Sequence, residues 1–351
     1  MSKFSGLCAV HGPPNNGGVD RNWRLVRTRA AAIGAFDAHA IHERQTRNAQ
    51  MKAVRFHSYG GPEVLKIEEI DVPEPGPGQV RIAVRAAGVN PIDWKLRAGY
   101  MREMMPIPLP AGSGFDAAGV IDAVGDGVSG VSVGDAVFGK GHHTMAEYAI
   151  LQEWALKPDG LSFEEAAGFA VAVETAARII DQVGVKRGET LLVSGAAGGV
   201  GSAVIQLARA AGIRTIGTAS EPKHAYLRSL GAIPTTYGPG LAGRVAALAP
   251  EGVQAALDIA GSGIIQELVA ITGGDPSRVL SITDPTAPQH GVKTSFEPKD
   301  STQALAGAAA LFTAGSFTLP VERVFPLDRI AAAHELSAQG HVTGRLVITI
   351  D

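Results

Sequence analysis

One stretch constrains this chain more than any other: Leu191-Leu192-Val193-Ser194-Gly195-Ala196-Ala197-Gly198-Gly199-Val200-Gly201. A short apolar run suited to a buried strand breaks into a glycine-rich turn, and residues 200–211 then read as a helix. At such a junction the first N–H groups of the helix and the positive end of its dipole face out of the turn and favour an anion. Gly198 lets the backbone approach a pyrophosphate, and Gly201 lets helix and strand pack closely. Ala196 stands where the first glycine of G-x-G-x-x-G would be, so the fingerprint is imperfect. Its place between a strand and a helix is nevertheless what the mechanism requires. The turn reads as a dinucleotide site, with a purely structural tight turn as the alternative.

The surrounding pattern agrees. Strands at 190–194, 214–218, 233–237, 255–259 and 279–283 alternate with helices at 200–211, 222–230, 241–249, 264–271 and 302–314. That is the signature of a parallel, doubly wound sheet. Ahead of it, Ser162 and Glu165 stand at capping-box spacing before an Ala-rich segment, which predicts a helix starting there. From Met51 to about 172 the chain consists of short apolar runs between Gly and Pro (51–56, 64–70, 80–87, 119–124, 135–139, 146–150), as in a compact, barrel-like β domain. Pro73-Glu74-Pro75-Gly76-Pro77-Gly78 has to be a loop, since Pro lacks the ladder donor and Gly weakens a strand. The last 36 residues read as strand again, with 342–350 closing. A chain of 351 residues exceeds the usual ~100–200 of one domain. The expected fold class is α/β, with a β domain over 51–172 and 315–351 and a nucleotide-binding domain over 173–314.

Residues 1–50 differ in character. Six arginines and Lys3 face only Asp20, Asp37 and Glu43, an excess of four positive charges, so the remainder carries −7 of the total −3. The segment is expected to be a poorly ordered extension, although a transit peptide or a mis-assigned start has the same composition. The acidic remainder offers nucleic acid or anionic lipid no general attraction. No apolar run reaches the ~18–20 residues of a spanning helix. Cys8 is the only cysteine, which excludes an intramolecular disulfide and any zinc site built on two thiolates. A reducing, cytoplasmic setting is therefore expected.

The end of the second strand of the nucleotide domain chooses between dinucleotides. It reads Thr218-Ala219-Ser220-Glu221-Pro222-Lys223-His224. NAD-specific folds place an acid near here for the ribose 2′-hydroxyl. Ser220 can instead donate to a 2′-phosphate, with Lys223 or His224 adding positive charge, which favours NADPH; Glu221 argues the other way only if it turns inward.

With these residues in hand, the chain resembles the zinc-independent quinone oxidoreductase branch of the medium-chain dehydrogenase/reductases, the branch that includes zeta-crystallin. The resemblance runs from Met51 to Asp351. It rests on Ala87-Gly88-Val89-Asn90-Pro91-Ile92-Asp93, Gly114-Phe115-Asp116-Ala117-Ala118-Gly119-Val120, Val124-Gly125, Gly134-Asp135-Ala136-Val137-Phe138-Gly139 and residues 196–208, in the family's order. It implies a GroES-like β-barrel catalytic domain around a central Rossmann domain, NADPH in the cleft, and a homodimer. Carried over by residue, it puts Asn90, Asp93 and Thr175 at the nicotinamide end and Ala197, Gly198, Gly199 and Val200 on the pyrophosphate. Ser220, Lys223 and Tyr237 fall around the 2′-phosphate, and Ala260 and Ile282 at strand ends beside the cofactor. Zinc-dependent relatives carry a cysteine near 88–93 and Gly-His-Glu near 114; here these read Val89-Asn90-Pro91 and Gly114-Phe115-Asp116. No metal is expected. His142 and His143, adjacent on what reads as an extended strand, would point to opposite faces.

Without a metal to polarise a carbonyl, the reaction best supported is hydride transfer from NADPH to an acceptor that is already electrophilic, a quinone or an activated enone, with the protein supplying orientation. If a general acid is needed, Tyr100 is the candidate, by resemblance to a tyrosine of related enoyl-thioester reductases. An NADPH-dependent enoyl or enone reductase and a non-catalytic NADPH-binding protein remain as alternatives. The loops around 100–110 and 284–296 are expected to set acceptor specificity.

Overall fold

A computed structural model describes residues 49–350. Residues 1–48, with Cys8 and the expected extension, lie outside the described residues.

Strand Gln50–Phe56 (β1) pairs antiparallel with Lys66–Asp71 (β2) and buries Met51, Ala53, Val54 and Phe56. After the Pro/Gly loop come Val80–Val89 (β3), helix Pro91–Arg97 (α1) and Ala111–Gly112 (β4), which takes the other edge of β1. Asp116–Val124 (β5), Ala136–Gly141 (β6) and Tyr148–Leu156 (β7) follow. Strands β3, β5, β6 and β7 pair antiparallel in that order and β7 pairs back onto β3, which closes a barrel around Ile82, Val84, Ile121 and Leu151. The helix expected after Ser162 starts there. Ser162 Oγ accepts from the Glu165 amide at 3.1 Å, and Glu165 Oε2 accepts from the Ser162 amide at 3.1 Å. It is two helices, however, Phe163–Ala167 (α2) and Ala170–Val183 (α3), broken at Gly168. A Cβ on Gly168 would lie 2.9 Å from Arg345 Cγ, so the break makes room for that side chain.

Next come Thr190–Ser194 (β8), Gly199–Ala210 (α4), Arg214–Thr218 (β9), His224–Leu230 (α5), Ile233–Thr235 (β10), Leu241–Leu248 (α6), Ala255–Asp258 (β11), Ile265–Ile271 (α7), Val279–Ser281 (β12), Lys293–Thr294 (β13) and Thr302–Thr313 (α8). The six strands form one parallel sheet in the order β10-β9-β8-β11-β12-β13. Every residue of β8 is buried. From β8 the chain winds one way through β9 and β10 and the other way through β11, β12 and β13. The crevice beyond the carboxyl end of β8 is therefore the switch point at which such sheets bind ligands. The short edge strand β13 was not expected from the sequence.

The chain then returns to the barrel with Val321–Pro326 (β14), Ile330–Gln339 (α9) and Arg345–Thr349 (β15), where β15 pairs antiparallel with β3 and parallel with β14. Helix α9 corrects the expectation of strand throughout this segment. Ile330, Ala333, His334 and Ser337 recur at helical spacing and are the buried positions, but only Ile330 is strongly apolar, so the periodicity is faint.

Candidate active site

The turn after β8 has the geometry its sequence implies. Gly195 takes φ +82°, a left-handed conformation that glycine adopts without strain. A Cβ on Gly201 would sit 2.4 Å from the Gly195 carbonyl oxygen, so glycine there is required by packing of α4 on the turn. Ala196, in place of the fingerprint's first glycine, is fully buried, and its methyl is accommodated by Gly217 of β9, where a Cβ would approach it to 2.7 Å. Gly198 is different. It is the N-cap of α4 at φ −77°, which any residue can adopt, and a Cβ there would meet nothing among the described residues closer than 3.8 Å. Packing among the described residues does not require a glycine here.

Gly199 makes room for Arg345, whose Cδ would lie 2.6 Å from a Cβ at that position. Arg345 opens β15, and its neighbour Gly344 donates its amide to the Ala197 carbonyl at 3.0 Å. The C-terminal strand thus enters the barrel by way of the turn after β8. From there Arg345 Nη2 reaches Asp116 Oδ2 at 2.7 Å and Asn90 Oδ1 at 2.9 Å, while its Nε is buried with no partner among the described residues. Asp116 is fully buried at the start of β5 and also accepts from Asn90 Nδ2 at 3.1 Å and from the Val171 amide at 2.7 Å. Burial raises its pKa; Arg345, Asn90 and the Val171 amide oppose that. Asn90 caps α1 and Asp93 closes the cap, accepting from the Asn90 amide at 2.7 Å. Asp93 is buried with its other oxygen unpartnered. Burial pushes its pKa up to about 8, against that cap bond and helped by the nearby Asp116 charge.

The structure thus joins Ala197, Gly198, Gly199 and Val200 at the head of α4 to Asn90 and Asp93 through Arg345. The sequence reading did not assign Arg345 a role. A lone arginine opening an apolar strand looks like a solvated strand end, and the one local signal was Gly344, left-handed at φ +69°.

The residues expected around a 2′-phosphate stand at the carboxyl ends of β9 and β10. The Ser220 hydroxyl makes no hydrogen bond among the described residues, and Lys223 Nζ donates to the His341 carbonyl at 2.7 Å. Tyr237 is 59 % exposed. Arg244, close by in sequence, is committed to backbone carbonyls of 236–239. On the other side of β8, Asp258 accepts from Ser281 Oγ at 2.8 Å and from the Gly261 amide at 3.0 Å. These bonds fix the turns that carry Ala260 and Ile282 at the ends of β11 and β12. Thr175 lies buried on α3, which packs against both strands.

Tyr100 stands apart. It follows α1 at the surface, 76 % exposed, edge-on to Trp94 with ring centroids 5.8 Å apart. His142 and His143 correct an expectation. They lie just beyond β6, in a bend where His143 takes φ +59°, rather than on an extended strand. Among the described residues, no group of three or more His, Cys, Asp and Glu side chains is arranged to hold a metal ion.

Two features fit a phosphorylated dinucleotide: the open face of Gly198 at the head of a helix and the unbonded Ser220 hydroxyl.

Known proteins share this architecture and parts of this sequence. Residues 76–179 match the alcohol dehydrogenase GroES-like domain, and 199–275 and 240–348 match two zinc-binding dehydrogenase models. Human quinone oxidoreductase is 44 % identical over 176 residues, 48 % of this chain and 53 % of its own length. A chloroplastic NADPH-dependent alkenal/one oxidoreductase of Arabidopsis thaliana is 40 % identical over 198 residues, 52 % of this chain and 51 % of its own. The chain spans about half the length of the curated relatives it matches. The solved structure of the quinone oxidoreductase from Coxiella burnetii superposes with a TM-score of 0.74 at 30 % identity, over 86 % of this chain and 100 % of that one.

Proposed function

The chain belongs to the zeta-crystallin-like branch of the medium-chain dehydrogenase/reductases, and from that premise we propose that it uses NADPH to reduce quinones or related electrophilic carbonyl acceptors. The observation that carries this reading is the head of α4, where Gly198 leaves the free amides open to a ligand and Arg345 lays a guanidinium across Gly199. The free amides and the positive end of the helix dipole would favour a diphosphate there, while the Arg345 charge is paired with Asp116. Ser220 and Lys223 support the phosphorylated nucleotide, one as an uncommitted hydroxyl and the other as an ammonium with donors to spare beyond the His341 carbonyl. When bound, the reduced nicotinamide supplies the hydride. The chain holds the reactants in register: Asn90 is fixed by Asp116 and Arg345, and Thr175 is fixed on α3. An acceptor that becomes a stabilised anion on reduction can take its proton from solvent. Where a donor is needed, Tyr100 is the candidate, on the open side of α1.

The name of the Arabidopsis relative favours a second reading on the same site, reduction of an alkene conjugated to a carbonyl. Loss of NADPH absorbance against a panel of small quinones and conjugated enones tests both. The expected result is oxidation with at least one quinone, faster with NADPH than with NADH. Equal rates with both nucleotides would remove the 2′-phosphate assignment, and no turnover with any acceptor would remove the activity. The same reading includes a homodimer, which light scattering would check, and a cytoplasmic location, supported by the lone cysteine. Among the described residues no helix is long and apolar enough to cross a membrane.

A further inference from the structure

An ionised pair lies inside α3, next to the residue assigned to the nicotinamide end. Glu174 and Arg178 are both buried, one helical turn apart, with Arg178 Nε 2.7 Å from Glu174 Oε1 and Nη2 3.2 Å from Oε2. The carboxylate has two further donors. The Lys299 amide reaches Oε1 at 3.0 Å, and the Thr175 hydroxyl reaches Oε2 at 3.3 Å. Arg178 Nη1 in turn donates to the Ser295 carbonyl at 3.1 Å and to the Ser295 hydroxyl. Each carboxylate oxygen thus accepts two hydrogen bonds, which is what keeps a buried charge tolerable. One buried carboxylate therefore holds the Thr175 side chain and the 295–299 segment together.

We propose that Glu174 is a positioning residue for the nicotinamide end of the site. Its carboxylate accepts the hydrogen bond of the Thr175 hydroxyl, so that Thr175 meets a ligand only as a hydrogen-bond acceptor, and together with Arg178 it pins the backbone of 295–299 against α3. The inference rests on the proposed function in one respect, that a nicotinamide occupies the space beside Thr175. A hydroxyl whose proton is committed selects for a donor. The carboxamide N–H of a nicotinamide is such a donor; an acetyl group in its place is not. The ionised carboxylate is essential to this arrangement. A glutamine at 174 has one oxygen, which Arg178 Nε and the Lys299 amide would claim, leaving its NH₂ group toward Thr175. The threonine would then accept from the amide, and its own O–H would turn to the ligand as a donor.

The test is equilibrium binding, followed by nucleotide fluorescence, of NADPH and of its 3-acetylpyridine analogue. Wild type, Glu174→Gln and Thr175→Val are compared. Wild type should bind NADPH about 5- to 10-fold more tightly than the analogue, the worth of one hydrogen bond. In both variants the ratio should fall to within about twofold. Glu174→Gln leaves Arg178 short of its counter-charge and risks misfolding, so the double variant Glu174→Gln, Arg178→Met, which buries no unpaired charge, carries the same expectation. A wild-type ratio retained in a folded Glu174 variant, or no preference in wild type, overturns this inference and leaves the proposed function standing. Failure of wild type to bind either nucleotide overturns both.

Discussion

Two glycines of the phosphate turn are present for different reasons, and substitution separates them. Gly201 is packed against the Gly195 carbonyl, so Gly201→Ala forces the turn and α4 apart and should cost about 1–3 kcal/mol of stability. Gly198 has open space in front of it. Gly198→Asp should leave stability within about 0.5 kcal/mol of wild type, yet abolish nucleotide binding, because it puts a carboxylate where a diphosphate has to lie. Urea denaturation paired with NADPH titration checks both; a Gly198→Asp protein that still binds NADPH contradicts the assignment. Both glycines were legible in the sequence because a strand, a turn and a helix met there. Arg345 was not, since its partners Asp116 and Asn90 are distant in sequence and no local pattern marks a contact of that range.

Helix α1 shows how a short element can hold a site. Its seven residues are too few for helical propensity alone. The turn forms because the Asp93 carboxyl closes the cap on the Asn90 amide and Pro91 presets its first dihedral angle. Those signals were present in the sequence, but no helix was expected here because there is hardly any periodic stretch behind them. Helix α9 was expected to be strand, because His334 and Ser337 occupy buried positions that an apolar residue would have advertised. The cap has a pH consequence. With its pKa pushed from the usual carboxylate range up to about 8, Asp93 is protonated in the folded protein at neutral pH and ionised in the unfolded chain. Folding takes up a proton between about pH 4 and 8, so the contribution of Asp93 is fully present below pH 4 and is lost as pH rises through 8. Asp93→Asn keeps an oxygen for the Asn90 amide and removes the titration. The stability of this variant relative to wild type should grow steadily from pH 5 to 8, by an amount on the order of kcal/mol. A difference that stays flat with pH would show that Asp93 is ionised in place.

At the scale of the molecule, an ion pair inside the barrel holds Arg345 where it crosses the turn after β8. Arg345 belongs to the barrel, packs over Gly168 and Gly199, and ends on Asp116, where the Val171 amide of α3 also donates. Breaking it from one side should be severe. Arg345→Met leaves Asp116 buried without its counter-charge and should cost about 3–5 kcal/mol in a denaturation experiment. Asp116→Asn together with Arg345→Met should recover most of that loss; a single variant as stable as wild type would show that Asp116 does not depend on Arg345 for its charge balance. The layout of barrel and parallel sheet was readable from the spacing of strands and helices alone. The clasp between them was not, because it depends on how the C-terminal strand returns past the turn. The central claim is that the head of α4, flanked by Arg345, grips a phosphorylated pyridine dinucleotide. Calorimetric titration of the full chain with NADPH tests it most directly. The expected result is saturable heat with one nucleotide per chain, absent in Gly198→Asp; a wild-type protein that releases no heat at saturating NADPH would contradict it.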